Sequence, residues 1–281
     1  MDDSITLPCI NLIKLTLFSL MLSLGITLRL EQVLLLWQRP GLLNRSILAI
    51  VVVVPMLVVM TVIGFRLSPE VKVGLILIAI TPGTLAFHLP CFNRSHPYAL
   101  ALQGTVSLLA VITVPLTIAI LQGFFPPEAQ ISPLTVVQQL AIAQFLPLVL
   151  GVTLRYCWSA LADNLEPLIT QAANVLFFIL IIWFLAQQLD VILQIGILPL
   201  IVIGLLVFIS LWVGHFLGGR ESSTRTTLAA TTATHSAALA LFIAALNLPH
   251  LSVSPAITIY VLESGAITVA YLTWNTALQV P

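Results

Sequence analysis

Glu263 is the one acidic residue well inside a long apolar stretch of this sequence. Counted from Ser254 at 1.5 Å per helical residue, it lies about 13 Å along that stretch, near the middle of a hydrocarbon core. A carboxyl at that depth costs about 2.5–3.5 kcal/mol on insertion scales, and acids kept there mark ion or proton pathways. The other reading is a protonated Glu263 bonded to a neighbouring helix, with Ser264 and Gly265 simply allowing close packing. His235 lies inside a second apolar stretch and His88 at the end of a third. Each could titrate near neutral pH or bond a solute, and each could equally be a satisfied packing residue.

Two stretches are chemically unusual along their length. The first contains Thr81-Pro82-Gly83-Thr84, where proline removes a backbone donor and glycine loosens the chain. The second carries Thr226, Thr227, Thr231, Thr232, Thr234, His235 and Ser236 among alanines, too much hydroxyl and imidazole to face lipid. A break in mid-membrane frees backbone carbonyls and half-helix N-termini, which hold cations and anions respectively. A packing kink is the plainer reading of Thr81-Pro82-Gly83 taken alone, but paired interrupted spans in two inverted halves point to a transporter's binding site. Thr105, flanked by Gln103 and Ser107, and the group Gln138, Gln139 and Gln144 could line a cavity or act as interhelical glue.

The elements that must position these groups are membrane helices. Apolar residues make up 59% of the chain and charged residues only 7%, against about 25% charged in a soluble domain. Charges, prolines and Gly/Asn/Ser clusters mark spans near 9–28, 45–65, 71–90, 97–122, 135–156, 167–187, 191–217, 225–247 and 253–276. The fold class expected is therefore an all-α polytopic membrane protein of about nine transmembrane helices. Short connections leave no room for a separate soluble domain, so residues 1–281 read as a single transporter domain with approximate halves 9–122 and 135–276.

Basic residues set the orientation. Arg29, Arg39, Arg45, Arg94, Arg155, Arg220 and Arg225 gather on one side, and Lys14, Arg66 and Lys72 on the other. That asymmetry places the N-terminus outside and the C-terminus in the cytoplasm of an inner or plasma membrane. Ten basic and ten acidic residues leave no net charge, and no basic run suggests nucleic acid. Cys9, Cys91 and Cys157 have no metal or disulfide spacing. There is no GxSxG, HExxH or phosphate-binding loop and no intramembrane aspartate pair, so no enzyme is expected.

Several segments carry a family likeness. These are Leu24-Gly25-Ile26-Thr27-Leu28 followed by Arg39-Pro40, Thr81-Pro82-Gly83-Thr84-Leu85-Ala86, and Leu146-Pro147-Leu148-Val149-Leu150-Gly151 followed by Arg155. Thr232 to Leu241 with Asn247-Leu248-Pro249 completes the set. In these motifs, from about residue 12 to 276, the chain resembles the bile acid:sodium symporter family, including its bacterial members. The resemblance implies a panel domain and a core domain, two crossing broken helices around the ion and substrate sites, and an inverted repeat of five helices whose first is missing here. Two departures stand out. Phe87-His88 falls where the family's first crossover usually ends in Ser-Asn sodium ligands. Thr231 and His235-Ser236 fall where the second usually supplies a glutamate and a Gln-Asn pair.

The function expected is a secondary active transporter of a small organic anion, coupled to a proton or to sodium and working by alternating access. Its partners would be that solute and the lipid bilayer, with no organic cofactor. The site expected comprises Thr81, Pro82, Gly83, Thr84, His88, Thr105, Thr231, Thr232, His235, Ser236 and Glu263. The alternative is a membrane receptor or scaffold that keeps the fold without transport.

Overall fold

A computed structural model of the chain describes residues 7–83 and 97–277. Among these residues the regular structure is helical throughout. The helices are α1 (Leu7–Thr27), α2 (Leu30–Trp37), α3 (Pro40–Ile47), α4 (Val54–Gly64), α5 (Pro69–Ile80), α6 (Pro97–Leu121) and α7 (Pro133–Leu140). They continue with α8 (Leu146–Cys157), α9 (Ser159–Gln194), α10 (Ile197–Leu217), α11 (Ser222–Ala233), α12 (Ala237–Asn247) and α13 (Ser254–Ala277).

Eight continuous or nearly continuous helical stretches among the described residues are long and apolar enough to cross a membrane. They match eight of the nine expected spans, most of them to within a few residues. The described part of the ninth is α5, which is followed by the non-helical Thr81, Pro82 and Gly83.

Two boundaries differ from the sequence reading for identifiable reasons. The sixth expected span, near 167–187, lies inside the single helix Ser159–Gln194. Its 36 residues exceed the roughly 20 that a bilayer core needs, and the charged Asp163 and Glu166 lie near its start. The connection after the first span contains a short helix, α2, with Leu34, Leu35 and Trp37 exposed beside buried Val33 and Leu36.

Proline shapes two of the spans. Leu48–Val53, just before Pro55, and Ala141–Phe145, just before Pro147, are wound as π-helix. A proline has no N–H to give the carbonyl four residues back, and a wider turn accommodates the loss without ending the helix.

The helices pack in two groups that meet where α1 packs on α12 and α9 on α13. One consists of α1, α8 and α9; the other gathers α4, α5, α10, α11, α12 and α13, with α6 packed on α2, α5 and α7. Glycine sets the approach within the first group. A Cβ on Gly25 would lie 2.3 Å from the Leu148 carbonyl oxygen, and one on Gly151 would lie 2.5 Å from that of Leu22. The backbones of α1 and α8 are thus in direct contact, the use of small residues expected between membrane helices. In the second group, a Cβ on Gly214 of α10 would lie 2.1 Å from the Thr232 hydroxyl of α11.

The span made of α11 and α12 is the centre of the molecule. Its most apolar window is 94% buried, against 28–56% for the other seven. A polar sequence can occupy this position because protein rather than lipid surrounds it.

Candidate functional site

The second interrupted span owes its break to local chemistry. α11 ends at Ala233, Thr234 and Ser236 are extended, and α12 starts afresh at Ala237 with Ser236 as its cap. The Ser236 hydroxyl accepts the N–H of Leu239 at 3.4 Å, satisfying one of the donors that every helix start leaves open. The threonine hydroxyls of α11 turn inward on their own helix: Thr231 donates to Thr227 O, Thr232 lies 3.0 Å from both Leu228 O and Ala229 O, and Thr234 donates to Ala230 O.

The first break meets the second directly. The Ser236 N–H donates to the Thr81 carbonyl at 3.1 Å, and the Thr81 hydroxyl lies 2.9 Å from Ile78 O and 3.3 Å from Ser236 O. Gly83, with φ +151°, comes so close that a Cβ there would sit 2.8 Å from Cβ of Ser236. The two interrupted spans, 155 residues apart in the chain, therefore touch at their non-helical segments.

A cavity of about 660 Å³ opens beside this contact. One wall is the crossing itself, with Gly83, His235, Ser236, Ala237 and Ala238, joined by Gln103 of α6. The facing wall comes from α1 and α9, with Ser23, Thr27, Thr170, Gln171 and Asn174. Ser23 and Thr170 are hydrogen-bonded at 2.8 Å, which ties these two helices together on the cavity side. Arg29 and Gln32 stand at the start of α2, and Arg155 and Glu166 at the facing ends of α8 and α9.

Arg155 is a structural clamp. Its guanidinium donates to the Ile26 carbonyl at 2.6 Å and is paired with Asp163 and Glu166, joining the ends of α1, α8 and α9. Arg29 is exposed, and no carboxylate among the described residues lies within ion-pair distance of it. The start of α12, at Ala237 and Ala238, adds the partial positive charge of a helix N-terminus to the opposite wall. The cavity therefore offers positive potential at two places and neutral hydrogen-bonding side chains between them.

The residues singled out from the sequence fall into three sets. Gly83, His235 and Ser236 line the cavity, with Pro82 beside Gly83 and Thr81 buried against Ser236. Thr231 and Thr232 are buried inside the polar helix, and Thr105 on α6 accepts a hydrogen bond from the indole of Trp37 at 3.2 Å. Glu263 stands apart. It faces α10, where a Cβ on Gly204 would be 3.3 Å from its Oε2, and that oxygen is buried without a partner among the described residues. Thr84 and His88 lie outside the described residues.

Tyr260 is a participant that the sequence reading did not single out. Its ring is fully buried; its hydroxyl donates to the Ala233 carbonyl at 3.0 Å and lies 3.5 Å from His235 Nδ1. The signal was available, because a tyrosine in mid-span needs a partner for its hydroxyl, but its partner could not be named. The wall from α9 was missed for a similar reason: Thr170, Gln171 and Asn174 form no motif until α1 is laid against them.

The sodium bile acid symporter family model matches residues 14–195. The chain belongs to that family. A search of curated proteins gave no match. The matched stretch runs from α1 to the end of α9 and includes the first break, the clamp at Arg155 and the wall from α1 and α9. The second break, Tyr260 and Glu263 lie beyond it. Members of the family are transporters, and among the described residues of this chain eight helices are long and apolar enough to cross a membrane, as in a polytopic helical membrane protein.

Proposed function

We propose that the chain carries a small organic anion across the membrane by alternating access. The observation that carries this reading is the cavity between the α1–α8–α9 group and the crossing of the two breaks. A solute held there touches both helix groups at once, so a shift of one group against the other can close one mouth of the cavity and open the other. The α1–α8–α9 group, with α7 running on into α8, is read as the panel and the remaining helices as the core, which makes the whole chain one transporter domain.

The anion preference follows from the electrostatics. In a membrane interior an unpaired negative charge is costly, and the start of α12 together with Arg29 supplies two favourable positions for one. No described acid in the cavity wall is left to repel it, because Glu166 is paired with Arg155. The basic loops put the mouth bearing Arg29 and Arg155 on the cytoplasmic side. Glu263 is the proposed coupling group, taking up a proton on one side and releasing it on the other. Its helix also carries Tyr260, so a change of charge on Glu263 acts on the same element that contacts the second break.

The test is exchange of radiolabelled small carboxylates by the purified chain in proteoliposomes. Transport above protein-free vesicles, competed by unlabelled anion and lost in Gly83→Leu, is the expected outcome. A folded protein that binds an anion but moves none across the membrane would favour a receptor with this fold.

A further inference from the structure

A broken membrane helix binds sodium through carbonyls left free where the helix unwinds. At the second break several of these oxygens are engaged within the protein. The Ala230 carbonyl keeps its helical bond from the Thr234 N–H at 3.0 Å and also accepts the Thr234 hydroxyl at 2.7 Å. That of Ala233, the last residue of α11, accepts the Tyr260 hydroxyl at 3.0 Å. The His235 carbonyl accepts the Ala237 N–H at 3.1 Å, and the Ser236 carbonyl faces the Thr81 hydroxyl at 3.3 Å. At the first break the Thr81 carbonyl accepts the Ser236 N–H.

Negative charge is missing as well. Among the described residues lining the cavity, Glu166 is the only acid, and it is paired with Arg155. Glu263 points at Gly204 on α10. The α13 side chain hydrogen-bonded at the break is Tyr260, fully buried, with its ring edge-on to His235 at a centroid distance of 6.1 Å. A sodium ion placed here would be an uncompensated charge in mid-membrane, with a hydroxyl proton directed at the oxygen it needs. The described residues of the crossing do not fit the ion that the family's name carries.

We infer that the Tyr260 hydroxyl holds the place of a coupling cation at the second break, so that the crossing works without sodium. The inference rests on reading the crossing as the transport centre. Tyr260 is a positioning residue in this account: it fixes the end of α11 by satisfying Ala233 O, as a bound cation would.

Thermal unfolding of the full-length purified protein in sodium chloride and in potassium chloride at equal concentration tests this, because a ligand specific for the folded state raises the midpoint. The parent should unfold at the same temperature in both salts. Tyr260→Phe, which frees the Ala233 oxygen, should unfold below the parent in potassium and recover part of the loss in sodium. A tyrosine that only packs would leave the variant as indifferent to sodium as the parent. A sodium-specific rise in the parent, or a Tyr260→Phe protein without a sodium response, overturns the inference. If the variant cannot be purified, the parent's comparison still tests sodium independence, because a sodium-specific rise in the parent overturns the inference. Failure of the parent to exchange any solute in either salt would count against transport itself and leave these midpoints to stand on their own.

Discussion

Single atoms govern the crossing. Gly83 sits at φ +151°, and any Cβ there meets Ser236 at 2.8 Å. Gly83→Ala should therefore combine backbone strain of about 1–3 kcal/mol with a steric push that separates the breaks. Its expected signature is lost exchange in proteoliposomes with the protein still inserted and purifiable; normal exchange would mean that the contact between breaks is dispensable. Glu263 is tested by charge rather than by size. Glu263→Gln keeps the shape and hydrogen bonding of the side chain but removes its titration. Accumulation driven by a pH gradient should disappear while exchange of solute for solute continues. A Gln variant that accumulates solute as well as the parent would reduce Glu263 to a packing residue of the α10–α13 contact.

At the scale of elements, the two helix groups depend on glycine for their closest contacts. The α1–α8 contact has no room for a side chain at Gly25 or Gly151. Gly151→Leu should force these helices apart, disturb the Ile26 carbonyl held by Arg155 and lower the unfolding temperature. Overpacking of this kind typically costs 1–3 kcal/mol, occasionally more, and a midpoint equal to the parent's would show that the contact is looser than drawn. The π-wound turns ahead of Pro55 and Pro147 concern the same scale. They let two spans keep their length across a missing hydrogen bond, which is why proline there shapes a helix without breaking it.

For the whole molecule the question is which way it sits and which parts move. Cys157 is exposed and Cys9 is buried, so in a Cys91→Ser background Cys157 is the cysteine expected to react. The proposed orientation puts it in the cytoplasm. A membrane-permeant maleimide should label it in intact cells and an impermeant one should not; labelling by the impermeant reagent would invert the molecule and place the cavity mouth outside.

Much of this protein was legible in the sequence alone. Apolar stretches of about 20 residues can only be spans, because in lipid every backbone group must be satisfied within its own helix. The polar threonine-rich span had to be interior because its hydroxyls and imidazole are costly against lipid, and it is the most buried span of the eight. Pro82-Gly83 could be read as a break from its local chemistry, whereas the second span was marked only by its polarity and its likeness to a family crossover helix. What local chemistry could not give is which distant segments face one another. That Ser236 N–H meets Thr81 O, that α9 supplies the far wall of the cavity, and that Glu263 turns to Gly204 while Tyr260 reaches Ala233 are outcomes of helix packing. Hydropathy and periodicity fix a helix's depth and its polar face, whereas its neighbours depend on side-chain fit between helices far apart in the chain. The second break shows the difference most clearly: the sequence marks it as a place where a cation could bind, and the tertiary structure fills its terminal carbonyl with a tyrosine hydroxyl.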